Sequence, residues 1–122
     1  MTSFLLLALA AQAAAQPDWR PLGSSNNGRP AFYDPASVVR AGNVTRVRLR
    51  FTDESNYSLS TAELRCGSFE ARMIGVTSYA SDGRELNRNE MTTPFRGIVI
   101  GGFLETLARA VCDPATLPAA PQ

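Results

Sequence analysis

Arg46, Arg48 and Arg50 occupy every second position of one alternating run, Val44 to Asp53, and form the chain's clearest arrangement for chemistry. In an extended strand alternate side chains leave the same face about 7 Å apart, so three guanidiniums become a ladder. Each guanidinium is a planar fork of donors that matches the oxygens of a carboxylate, sulfate or phosphate. Arg65 and Arg72 join the same face if the neighbouring runs pair as hairpins, with Glu63 and Glu70 between them. Five cations against two anions predict a planar basic patch for a sulfated glycan, an acidic protein or an anionic lipid surface. The competing reading is a solvated sheet face, whose cross-strand ion pairs keep the strand soluble.

Cys66 and Cys112 are the second arrangement, and they are the only cysteines. Within one chain they can pair in a single way. They lack C-x-x-C spacing, and nothing nearby in sequence would depress a thiol pKa, so a structural disulfide is favoured over a redox pair. An oxidising compartment would let that bond persist.

Other chemistries are poorly supplied. All 12 cations are Arg, with no Lys and no His, which removes a His base, a His metal ligand and a His switch near neutral pH. Net charge is +1, too small to argue for nucleic acid or a membrane through a global field, and no aromatic row interleaves the arginines for base stacking. Asp53-Glu54-Ser55-Asn56 lacks the spacing and distal Glu of a Ca²⁺ loop. The glycines from Gly97 to Gly102 lack a P-loop Lys, and the acids are scattered rather than paired. Catalytic residues, metal ligands and cofactors are therefore not expected, and the reading is non-enzymatic.

The elements that must position these groups follow from pattern. Residues 1–15 read as a signal peptide: Phe4 to Ala11 is a short apolar core, and Ala13-Ala14-Ala15 gives the small-residue cleavage pattern. That core is too short to span a bilayer, so no transmembrane segment is expected. No cysteine at the cleavage point encodes a lipid anchor. Residues 16–112 form one domain, and 113–122 (DPATLPAAPQ) a disordered Pro/Ala-rich tail.

Within the domain, Asn27-Gly28 signals a turn before a short strand, Pro30 to Asp34, and Ser37 to Arg40 forms a further short strand or turn. Thr45, Val47, Leu49 and Phe51 alternate with the ladder arginines, the pattern of a half-buried antiparallel strand. Tyr57 to Cys66 and Phe69 to Ala80 continue the sheet, and Ser81-Asp82-Gly83-Arg84 turns the chain back through Glu85 and Leu86. The first hairpin is expected to set Arg48 opposite Glu63 and Val47 opposite Leu64; the second sets Glu63 opposite Arg72 and Arg65 opposite Glu70. Ile74 and Val76 would then share the charged face, which a bulge at Gly75 or a covering segment would resolve. Residues 87–97 look irregular. Phe103, Leu104, Leu107, Ala108 and Val111 lie on one face of a final helix, and Cys112 joins that face. Trp19, Phe32, Tyr33, Phe51, Tyr79 and Phe103 are assigned to the core.

The fold class is thus α+β: a twisted antiparallel sheet of about five to six strands, with one C-terminal helix tethered by the disulfide. The ordered set of Asp18-Trp19, Tyr33-Asp34-Pro35, the Arg-striped strand, Cys66, Tyr79 with Asp82-Gly83, and the helix ending in Cys112 resembles the surface-adhesin protein E-like family of small exported bacterial domains. The resemblance covers 18–112 and implies the same sheet-and-helix fold. It also implies an exported module that binds host matrix or plasma proteins at the cell surface. The alternative role is a periplasmic structural or envelope-maintenance protein with no host ligand.

Overall fold

The structure is a computed structural model and describes residues 17–117; the expected signal peptide lies outside them. Eight strands form one antiparallel sheet: β1 Arg20–Ser24, β2 Pro30–Tyr33, β3 Val39–Ala41, β4 Val44–Thr52, β5 Asn56–Arg65, β6 Glu70–Ala80, β7 Glu85–Thr92 and β8 Arg96–Gly97. The continuous path is β1-β2-β4-β5-β6-β7, while short β3 pairs with β4 and short β8 with β6. One helix, α1 Phe103–Val111, packs on one face of the sheet, and Cys66 is bonded to Cys112. The antiparallel sheet with a tethered C-terminal helix is as the sequence indicates.

The period-2 pattern of β4 is realised. Thr45, Val47 and Leu49 are buried, whereas Arg46 and Arg48 are exposed on the other side. The buried layer joins Leu22, Ala31, Val47, Leu49, Ala62, Leu64 and Ala71 of the sheet to Leu107, Ala108 and Val111 of α1. Cys66 and Cys112 lie in the same layer, so the bond ties helix to sheet inside the core. Glu105 sits in the first turn of α1 and Arg109 in the last, 3.7 Å apart, complementing the helix dipole at both ends. Arg40 of β3 donates from Nη2 to the carbonyl of Val111, a second clamp where helix carbonyls lack intrahelical partners.

Four expectations change. The β4–β5 hairpin pairs Arg46 with Glu63, Val47 with Ala62 and Arg48 with Thr61, not Arg48 with Glu63 and Val47 with Leu64. The turn is tighter than expected, since Thr52 already pairs with Tyr57. That two-residue shift leaves every side chain on its expected face. Residues 87–92, read as irregular, continue β7. Of the aromatics assigned to the core, Tyr33, Phe51 and Phe103 pack against it; Trp19 is only half-buried and Phe32 and Tyr79 stand outside the cluster. Residues 113–117, assigned to the tail, hold a 3-10 turn at Pro114–Thr116 capped by Asp113, and Leu117 packs against the core; the rest of the expected tail, 118–122, lies outside the described residues.

The β5–β6 register matches the expected one, with Glu63 opposite Arg72 and Arg65 opposite Glu70. It slips by one residue at Gly75, where Thr61 pairs with Ile74 but Ser60 with Val76. Gly75 has φ +61°, and the Ser60 hydroxyl donates to its carbonyl. The bulge reverses the phase of β6, so Ile74 and Thr77 share the arginine face while Val76 turns away. A Cβ at Gly75 would lie 3.3 Å from the Asn89 carbonyl in a left-handed conformation that L-residues adopt at a cost of about 1–2 kcal/mol. Gly75→Ala should therefore destabilise the domain by about that amount, read as a lower urea midpoint. Amide exchange should rise first along β7, whose ladder abuts the bulge.

Candidate functional site

All five predicted arginines, Arg46, Arg48, Arg50, Arg65 and Arg72, project from the sheet face opposite α1. They do not form five free cations. Arg46, Glu63 and Arg72 are direct cross-strand neighbours on β4, β5 and β6. Arg46 donates to Glu63 Oε2 from Nε at 3.2 Å and Nη2 at 2.8 Å. Arg72 reaches Oε1 from Nε at 2.8 Å and Nη2 at 2.6 Å. Each carboxylate oxygen thus takes one guanidinium fork. Glu63 is 6% exposed, and hydrogen bonds from Arg46 outweigh the desolvation that opposes its charge; with Arg72 they hold its carboxyl below the usual range.

Arg65 and Arg72 both lie over the ring of Phe95, at 3.8 and 4.5 Å from its centroid, and Arg65 is 3.8 Å from Glu70. Arg50 lies 4.2 Å over Tyr57, which stacks on Tyr79 with centroids 5.1 Å apart. Three of the five cations are thus held over aromatic rings, two of them also bonded to carboxylates. The aromatics came from segments that the sequence separates: Phe95 from the stretch read as irregular, and Tyr57 and Tyr79 from opposite ends of two strands.

Arg48 differs. Its side chain is exposed and makes no hydrogen bond or ion pair among the described residues. It opens onto a shallow trough of about 200 Å³ with Thr61, Thr77, Tyr79 and Arg88 around it. Arg88, on β7, was missed from sequence because its strand is polar on both faces; it bonds Glu85 at 2.7 Å and lies 3.9 Å from Glu90. The trough therefore has cations on two sides, hydroxyls between them, an aromatic wall, and Glu90 beside Arg88. That set suits an oxyanion carried on a larger molecule.

Among the described residues no cluster of His, Cys, Asp or Glu could hold a metal ion, and no helix is long and apolar enough to cross a membrane. The cysteines are consumed by the disulfide. Comparison with protein-family models, curated proteins and solved structures finds no match to this chain.

Proposed function

We propose that the chain is an exported, non-enzymatic binding module of the surface-adhesin protein E-like kind, contacting a macromolecule through the open sheet face. The observation that carries this reading is Arg48, an exposed and unbraced cation facing Arg88 across a hydroxyl-lined trough. The ligand class that suits it is an anionic polymer, a sulfated glycan or an acidic protein segment. Arg46 and Arg72 act as braces of Glu63, Arg65 and Arg50 as cations held over rings, and Arg48 with Arg88 as the contact.

The test is Arg48→Glu with Arg88→Glu, which leaves the Glu63 triad untouched, assayed on immobilised heparin and matrix proteins. The expected result is binding that weakens at least about tenfold, since charge-assisted contacts contribute roughly 1.5–3 kcal/mol each, with a wild-type affinity that falls as salt rises. Unchanged binding by a folded variant would sink the reading.

The second reading is a periplasmic maintenance protein without a host ligand. It draws support from the internal engagement of Arg46, Arg50, Arg65 and Arg72, which is what a self-contained solvated face requires. Protease treatment of intact cells separates the two: a surface protein is cleaved, a periplasmic one is protected.

A further inference from the structure

The helix-covered side of the sheet holds a second feature, remote from the arginine face. An open pocket of about 380 Å³ lies between the 25–29 loop, the sheet and the start of α1, and its apolar wall is Phe51, Met73, Phe103 and Leu104. Phe51 and Phe103 meet edge to face, with centroids 5.6 Å apart, which fixes that wall. The polar end is Arg29. Its Nη2 donates to Ser58 Oγ at 3.3 Å, and Ser58 Oγ lies 3.2 Å from Ser78 Oγ. Its Nε is buried with no acceptor among the described residues, and no carboxylate there lies within ion-pair distance of it.

We propose that this cavity binds a small monocarboxylate with an apolar body, its carboxylate on Arg29 and its body against Phe51, Met73, Phe103 and Leu104. A buried donor with no acceptor is costly, and because this Nε has almost no accessible surface the guanidinium must swing toward the pocket to give its hydrogen to an incoming carboxylate. The Nε and Nη2 hydrogens of a guanidinium point the same way and suit a carboxylate. The same edge is used by Arg46 and Arg72 on Glu63 in this chain. One cation beside an apolar wall selects one negative charge joined to hydrocarbon rather than a strongly hydrated dianion. The volume sits at the small end of ligand pockets, about 300–1,000 Å³, which fits a medium-chain or phenyl-substituted acid. The site is independent of the open-face reading, because its residues lie on the other side of the sheet.

The test is a titration of the full chain, carrying ¹³C-methyl methionine, with decanoate and with 4-phenylbutyrate; decanol serves as the uncharged control. Met73 lines the cavity, whereas Met91 is 75% exposed on β7, so of the chain's three methionine methyls these two report site and background in one spectrum. Either acid should shift the Met73 methyl saturably and leave that of Met91 in place, and decanol should bind at least about tenfold more weakly. Arg29→Gln should lower acid affinity about ten- to a hundredfold and remove the preference over decanol. If that variant does not fold, the wild-type comparison of acid with decanol decides alone. An unmoved Met73 methyl with both acids, equal binding of decanol, or acid binding unaffected by Arg29→Gln would overturn the proposal.

Discussion

Glu63→Ala is expected to lower the stability of the domain by about 2–3 kcal/mol, a fall in melting temperature of roughly 10–20 °C for a domain of this size. The carboxylate is nearly fully buried and takes all its ligands from two guanidiniums. Removing it leaves two cations crowded on adjacent strands. Breaking a fully buried pair costs about 3–5 kcal/mol; here Arg46 is 58% and Arg72 35% exposed, so both regain some water and the lower figure applies. Replacing the whole triad, Arg46→Met with Glu63→Leu and Arg72→Met, should recover most of the loss, because no unpaired charge remains. If the single variant melts like wild type, the triad is not a brace and the arginines are free for other work.

The same group sets an acid limit. The folded-state pKa of Glu63 lies below its usual value because Arg46 and Arg72 hold the carboxylate. Its stabilisation is therefore complete above the unfolded value, about 4.3, and is lost as pH falls through the lower folded value. Melting curves of the wild type should decline across that acid window. Those of Glu63→Gln should be flatter there, having already lost the term at neutral pH.

The triad also explains how far the arginine ladder could be read from sequence. A period-2 pattern fixes which face a residue takes, and all five arginines are on the expected face. It cannot distinguish registers that differ by two residues, since both keep apolar opposite apolar. Hence the pattern sets Glu63 against Arg48 where its β4 partner is Arg46, and the cation left over is Arg48. Strand β7 was hidden for a related reason. As an edge strand exposed along its whole length, it has no buried face to impose alternation, so the chain reads as irregular after Leu86 and Arg88 goes unnoticed. Two apolar residues on the charged face leave either a Gly75 bulge or a covering segment open; the bulge is present, and it turns Val76 away while Ile74 stays. The cavity beside Arg29 had no signal at all, since its apolar wall comes from β4, β6 and α1, which only the fold brings together.

Opening the Cys66–Cys112 bond is the second large effect expected. The residues are 46 apart in sequence, and freeing a loop of that length returns about 4 kcal/mol of chain entropy to the unfolded state. A single small domain has roughly 5–15 kcal/mol in total, so Cys66→Ala with Cys112→Ala should lower the melting temperature by roughly 15–30 °C. The loss should not be uniform. The β4–β5–β6 ladders are long and continuous, whereas α1 is a single short helix. Without the bond, its remaining ties are the Phe103, Leu104, Leu107, Ala108 and Val111 contacts, Arg109 over the Phe69 ring, and the Arg40 bond to the Val111 carbonyl. A nine-residue helix has little stability of its own, so amides of α1 should lose exchange protection before those of β5. Arg40→Ala in the disulfide-free background should widen that gap, because it removes a further clamp on the helix C-terminus. Simultaneous loss in helix and sheet would instead mean that α1 is integral to one cooperative core, and that the disulfide stabilises the whole domain rather than tethering one element to it.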